Sequence, residues 1–184
     1  MEIHEESSNS VSLELSDIWL RPGYLVRRLH QIHWALFANL VANGTVTPIQ
    51  FGLLSILKSR PGIDQSQLGE SLGIDRATVA GIVLRLEERG LVERVIDASN
   101  RRRKLCSVTA EGHSFLRNHV SEMQASQEAL LQPLGKDERD TFLRLITKLV
   151  ESNNGLGRSV LNPLAHQGRS SKNLQPTKRS IRHG

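Results

Sequence analysis

The stretch Asp64-Gln65-Ser66-Gln67-Leu68-Gly69-Glu70-Ser71-Leu72-Gly73-Ile74-Asp75-Arg76-Ala77-Thr78-Val79-Ala80-Gly81-Ile82-Val83-Leu84-Arg85-Leu86-Glu87-Glu88-Arg89-Gly90 reads as two short helices around a tight glycine turn. Asp64 opens the first helix, Leu68 and Leu72 give it an apolar side, and Gly73 follows as the residue that most readily takes a left-handed cap. Asp75 caps the second, whose Val79, Ile82, Val83 and Leu86 recur at the helical period, and Gly90 ends it. Two helices joined this way are the layout of a helix-turn-helix, in which the first turns of the second helix enter the major groove. Arg76, Ala77, Thr78, Gly81 and Arg85 then form the DNA-reading side: small or polar residues allow close approach, and the arginines reach bases or phosphates. A helical hairpin buried in a core fits the same layout, so the next segment decides.

Two short strands are predicted there, Leu91 to Ile96 and Lys104 to Val108, around the turn-forming Asp97-Ala98-Ser99-Asn100-Arg101-Arg102-Arg103. A hairpin directly after a helix-turn-helix is a wing. Its tip carries Asn100 followed by Arg101, Arg102, Arg103 and Lys104. Cation runs are usually just solvated, but this one is set between two strands beside a recognition-type helix. Arginine there suits the strong negative potential of a narrow DNA groove.

Working outward, Ile18, Leu25, Leu29, Ile32, Leu36 and Leu40 share one arc of a helix over about residues 17–42, with Pro22 near its start and Asn43-Gly44 ending it. Thr47-Pro48-Ile49-Gln50 is a capping box that opens the next helix, which stops before Pro61-Gly62. Beyond the wing, Thr109 caps a long helix to about Leu131, Pro133-Gly135 breaks it, and a last helix carries Phe142, Leu145, Ile146 and Leu149 to about Ser152. The reading is a mainly α winged helix-turn-helix with a two-stranded β-wing. Its DNA-binding lobe spans about 46–110, and long helices at about 17–42 and 110–152 serve dimerisation.

The chain has 184 residues, which suits one domain, placed at 16–152, with tails on both sides. Residues 1–15 read as a flexible acidic N-terminus. Residues 153–184 read as a flexible basic tail, with Arg158, Arg169, Lys172, Lys178, Arg179 and Arg182 and no acid. The net charge of +5 owes much to that tail, so local placement of cations makes the nucleic-acid case. Aromatic residues at 4% argue against a β-sandwich. The single cysteine, Cys106, excludes an intrachain disulfide, and the polar start Met1-Glu2-Ile3-His4-Glu5-Glu6 is no signal peptide. No apolar run spans a bilayer. A cytoplasmic setting without membrane contact fits. A phosphate-binding glycine loop, a nucleophile elbow and a paired-carboxylate cleft are all missing from the sequence, so it does not read as an enzyme and calls for no cofactor.

The run Leu84-Arg85-Leu86-Glu87-Glu88-Arg89-Gly90-Leu91-Val92-Glu93-Arg94, the basic tip, and Ser107-Val108-Thr109-Ala110-Glu111-Gly112 resemble the MarR family of winged-helix regulators. Thr47-Pro48-Ile49-Gln50-Phe51 and Asp137-Glu138-Arg139 resemble that family's second and last helices, so the likeness covers about 17–152. One departure is Asn100, where the family often has an Asp that fixes the wing arginine two places on; here that is Arg102, offered a neutral hydrogen bond. The resemblance implies a homodimer with intertwined terminal helices, a pseudo-palindromic double-stranded operator, and release by a small aromatic carboxylate or phenol. The long apolar arcs outside the lobe support a dimer independently.

For the effector, Arg28 flanks the apolar arc of the first helix as a carboxylate partner, His33 on the other flank can meet a ring hydroxyl or nitrogen, and Tyr24 and Phe51 supply aromatic wall. Each has an ordinary structural role as its alternative. His30 and His33 stand one turn apart, and His113 and His119 share a later helix, which leaves a metal-responsive regulator as an alternative, although no metal site is assigned. Cys106 in a wing strand offers a redox alternative. A winged-helix module that touches protein or RNA is the third.

Overall fold

Thr47 shows how locally this chain is written. Its hydroxyl accepts from the Gln50 amide at 3.3 Å, and the Gln50 side chain accepts from the Thr47 amide at 2.9 Å, a closed capping box with Pro48 behind it. The computed structural model describes residues 15–41, 46–157 and 159–162. The expected end of the first helix at Asn43-Gly44, the acidic N-terminus through residue 14 and the basic tail beyond residue 162 lie outside the described residues.

A 3₁₀ turn, Leu15–Leu20, precedes α1, Pro22–Leu40, where Pro22 opens the helix and does not kink it. The lobe follows as α2, Pro48–Ser59, α3, Gln65–Leu72, and α4, Arg76–Glu88. Asp64 and Asp75 cap α3 and α4 through their carboxylates, onto the Gln67 and Thr78 amides, both at 2.9 Å. Gly73 closes α3 in the left-handed conformation, φ +64°.

The wing is larger than the expected hairpin. Strands β2, Val92–Asp97, and β3, Asn100–Val108, pair antiparallel, and a two-residue strand β1, Ile63–Asp64, adds on the other side of β3. Ile63 faces Cys106 and Asp64 faces Leu105. The third strand therefore stitches the entrance of the helix-turn-helix to the wing. A register shift at Ile96 and Asp97 bends the hairpin near its tip.

Two long helices follow, α5, Ala110–Leu131, and α6, Lys136–Ser152. The core sits in the lobe, where Leu53, Leu54, Leu57, Leu68, Val79, Val83 and Leu86 are fully enclosed with Phe37 of α1 and Val41 just past its end. The arc read from the first helix behaves otherwise: Leu25, Ile32 and Leu40 are 40–49% exposed, as are Leu143 and Leu145 of α6, and Leu149 more so. Phe37 and Val41 turn inward because α1 carries a second apolar side that packs on the lobe and on α5.

Candidate nucleic-acid interface and effector cleft

Arg76, Ala77, Thr78 and Arg85 are exposed on α4 and Gly81 is half-buried, while Val79, Ile82, Val83 and Leu86 anchor the helix in the core. A Cβ at Gly81 would meet nothing nearer than the Arg85 Nη2 at 3.9 Å, so internal packing does not demand this glycine. A mid-helix glycine costs roughly 0.5–1 kcal/mol, and the bare surface it leaves suits close approach of a base edge. Thr78 Oγ1 donates to Asp75 at 2.7 Å, which fixes its rotamer at the leading end of the helix. With Thr78 donating from both hydroxyl and amide, the Asp75 carboxyl lies below the usual carboxylate range.

Asn100, Arg101, Arg103 and Lys104 are exposed on β3; Arg102 lies in the strand, and its side chain is outside the described ones. Arg103 has a second duty that the sequence does not announce. Its Nε and Nη2 meet Asp64 Oδ2 at 3.0 and 2.8 Å, and Nη1 stands 3.6 Å from Asp97. Asp97 also accepts from the Ser99 amide and hydroxyl, which closes the turn at the wing tip. Arg103 is thus a fixed cation of the wing, held by Asp64 and Asp97. Burial alone would raise the Asp64 carboxyl, but the Gln67 amide and Arg103 outweigh it and hold it below its ordinary value. Glu87 of α4 and Arg94 of β2 form a second ion pair, so the wing is tied to the recognition helix as well as to α3. Between these ties lies a polar cleft of about 290 Å³ lined by Asp64, Gln65, Ser66, Arg76, Arg94, Arg103 and Lys104.

The candidate effector residues do not converge. Tyr24 packs edge-on against Trp19, with Arg27 over its ring, and Arg28 is exposed with Nη1 3.5 Å from Gln31. Phe51 is buried in the lobe between Phe37 and Phe115. His33 alone of the four lines a cleft of about 270 Å³, with Val26, Leu29 and His30 of α1, Gln127 and Leu130 of α5 and Ile146 of α6. Successive side chains on a helix point about 100° apart, so Arg28 leaves α1 on the side away from Val26, Leu29, His30 and His33. Gln127 was missed because its partner, His33, is 94 residues away; their Nε2 atoms are 3.1 Å apart. Burial, then the neighbouring His30, pushes the His33 pKa down, which favours the neutral ring. From His33 a row of rings runs inward through Phe37, Phe51 and Phe115 to His119, with centroids 4.4–6.5 Å apart.

The metal and redox alternatives gain little. His119 stands 3.7 Å from Glu122, but among the described residues no three His, Cys, Asp or Glu side chains group to hold a metal. Cys106 is fully buried, and burial pushes its thiol up to about 11, so it is not a reactive thiolate near neutral pH. Among the described residues no helix is long and apolar enough to cross a membrane.

A helix-turn-helix with an arginine-bearing recognition helix and a cationic wing defines a winged-helix DNA-binding protein. Residues 46–104 match the MarR family. The transcriptional repressor NicR of Pseudomonas putida is 30% identical over 141 residues, covering 77% of this chain and 89% of NicR. Among solved structures, the PcaV transcriptional regulator of Streptomyces coelicolor, in complex with its natural ligand, superposes with a TM-score of 0.69 at 37% identity, covering 73% of this chain and 95% of PcaV. BpsR of Bordetella bronchiseptica, whose DNA binding is regulated by 6-hydroxynicotinic acid, gives 0.67 at 27% identity, covering 71% of this chain and 94% of BpsR. The chain belongs to the MarR family. It is a DNA-binding transcriptional regulator and not an enzyme.

Proposed function

We propose that this regulator is a homodimeric repressor that leaves a pseudo-palindromic operator when a one-ring aromatic acid or phenol binds beside His33. The dimer reading rests on the apolar side chains that α1 and α6 leave exposed, Leu25, Ile32 and Leu40 on one and Leu145 and Leu149 on the other. A second copy is the natural cover for such faces, and two-fold symmetry then calls for half-sites about one DNA turn apart.

The observation that carries the effector reading is the cleft where α1, α5 and α6 meet. Its size lies near the lower end for small-molecule sites, roughly 300 Å³ and upward, which suits a single ring. Its walls are Val26, Leu29, Leu130 and Ile146, and His33 and Gln127 are its paired polar groups, suited to a ring hydroxyl or ring nitrogen. BpsR answers to a hydroxylated pyridine acid, a chemistry these two groups match. The ring row from His33 through Phe37 to Phe51 runs from the cleft into α2 and the lobe. A ligand that binds better when the recognition helices are mis-spaced for successive major grooves lowers operator affinity by its differential binding, typically about 1–3 kcal/mol or 5- to 150-fold.

Footprinting on the DNA that flanks its own gene, with and without hydroxynicotinate, benzoate and cinnamate, tests this directly. One of these acids releasing the footprint, and binding more weakly to His33→Ala and Gln127→Ala, is the expected outcome. Release that both substitutions leave untouched moves the effector to another site.

A further inference from the structure

The chain does not leave the domain at the end of α6. Asn153 closes that helix, its side chain and its amide both donating to the Leu149 carbonyl, at 2.8 and 3.2 Å, and a 3₁₀ turn, Asn154–Leu156, follows directly. The chain then doubles back: a Cβ at Gly157 would come within 3.3 Å of the Ser159 carbonyl oxygen. The Asn154 side chain holds the returning segment through both backbone groups of Leu161. Its Nδ2 donates to the Leu161 carbonyl at 2.6 Å, and its Oδ1 accepts from the Leu161 amide at 2.8 Å. One end of the segment is thus fixed to α6.

Its other end is fixed to the helix-turn-helix. The Asn162 amide donates to the Glu70 carbonyl at 2.6 Å. Glu70 is in the last turn of α3, where helix carbonyls lack a partner within the helix, and the capping amides of Gly73 and Ile74 both go to the Gly69 carbonyl instead. Leu161 lies against the turn between α3 and α4, where a Cβ on Gly73 would come within 3.2 Å of the Leu161 Cβ. Ser159 and Val160 line a cleft with Gly69, Ile74, Asp75 and Arg76, so the segment also reaches the leading end of the recognition helix. The chain therefore stays with the domain through Asn162, ten residues past the boundary expected at 152. Among the described residues, α6 itself meets α1 and α5 at the effector cleft through Ile146 and has few contacts of its own with the lobe.

We propose that this segment, through Asn154, Leu161 and Asn162, fixes the angle between α6 and the helix-turn-helix and thereby sets the half-site separation that the regulator accepts. This rests on the dimeric operator-binding reading above. In a two-fold dimer whose interface includes α6, each recognition helix is placed by its own protomer, so an angular error in one is repeated in the other. One base pair added between the half-sites moves them apart by about 3.4 Å and turns one against the other by about 35°. Two lobes held rigidly reject such a change, and two lobes that swing follow it. Asn154, Leu161 and Asn162 are therefore positioning residues for specificity, acting through the helix-turn-helix they hold.

The test compares the full chain with Asn154→Ala/Leu161→Ser, which releases the segment, and with Leu161→Met, which keeps its volume. Each is titrated with the footprinted operator, with the same operator carrying one base pair more or one fewer at its centre, and with a scrambled duplex. The ratio of affinities between the natural and the respaced operators is expected to shrink in the double variant by about fivefold or more, the lower end of ordinary coupling between sites, and to stay unchanged in Leu161→Met. A second measurement needs no DNA. Spin labels at Glu88→Cys on α4 and Lys148→Cys on α6, both exposed positions, report the distance from lobe to α6 within one chain when the labelled protein is diluted with unlabelled. Cys106 is fully buried and stays unlabelled. The full chain and Leu161→Met should give one narrow distance, and the double variant a broad one. A segment that merely adds stability lowers the melting temperature and weakens all operators alike, with the spacing ratio and the spin distance unmoved; that result overturns the proposal. A broadened distance with an unmoved ratio overturns the specificity role. If the full chain sediments as a monomer, or binds operator and scrambled duplex equally, the dimeric operator reading fails and the spacing role with it, while the spin distance still decides whether the segment holds the lobe to α6.

Discussion

Arg103 of the wing and Asp64 at the mouth of α3 meet through two nitrogens on one carboxylate oxygen, across 39 residues of sequence. Asp64 uses its other oxygen to cap α3. One side chain therefore starts the helix-turn-helix and sets the wing against it. Asp64→Asn keeps a good cap and loses the charge, whereas Asp64→Ala loses both. The ion pair is partly exposed, so Asp64→Asn should cost no more than about 1 kcal/mol of stability yet weaken DNA binding by freeing Arg103. Asp64→Ala should cost about 1 kcal/mol more. The depressed Asp64 pKa means this stabilisation is present above the unfolded carboxyl value and is lost as pH falls through the folded one. Denaturant melts of both variants, paired with operator titrations, separate cap from wing; equal stability for Asn and Ala would refute the capping share.

Arg76 and Arg85 face outward from α4 and carry no structural load in the core. Replacing either with Ala should leave stability nearly unchanged. Where the arginine reads a base, its removal costs about 1–3 kcal/mol at one operator position and relaxes preference there; where it meets a phosphate, its removal weakens binding to all sequences alike. Arg101→Ala with Arg102→Ala should flatten the salt plot by about 2, the sum for two cations near phosphates. Unchanged affinity and slope for that double variant would remove the wing from the interface.

What the sequence makes legible is what neighbouring residues decide. Asp64, Gly73 and Asp75 mark the helix-turn-helix because capping is settled within three or four residues, and the cations from Arg101 to Lys104 mark the wing because they follow one another. The ties that orient these parts are invisible there: Asp64–Arg103, Glu87–Arg94 and His33–Gln127 join residues far apart or on different elements. Periodicity also identifies an apolar arc on α1 without saying what covers it. Leu25, Ile32 and Leu40 stay exposed while Phe37 and Val41 enter the core, since both sides of that helix are apolar. Of the effector candidates, His33 lines the cleft beside α1, whereas Arg28 and Phe51 do not.

His33 supplies a pH signature. Its pKa is lowered by burial and by His30, so below the ordinary histidine value of about 6.5 the unfolded chain binds the proton more readily than the folded one. Stability therefore rises with pH from the folded pKa up to about 6.5 and is lost as pH falls through that window. His33→Gln should flatten this part of the profile in urea melts taken at steps across it. A profile unchanged by the substitution would mean that another group governs it.

The exposed apolar side chains of α6 test the assembly. Leu145 and Leu149 lie four residues apart on one side of the helix, 47% and 61% exposed, so neither supports the core of its own chain. Leu145→Asp with Leu149→Asp should therefore leave the lobe intact while placing two charges where a second copy would bury apolar surface. Sedimentation should move from dimer to monomer, and operator affinity should fall steeply because each monomer then engages one half-site alone. If folding needs the dimer, the same variant instead shows a melting temperature that climbs with protein concentration, as mass action requires. A variant that sediments as a dimer and melts like the original protein would place the interface elsewhere, and α1, with Leu25 and Ile32, would be the next face to charge.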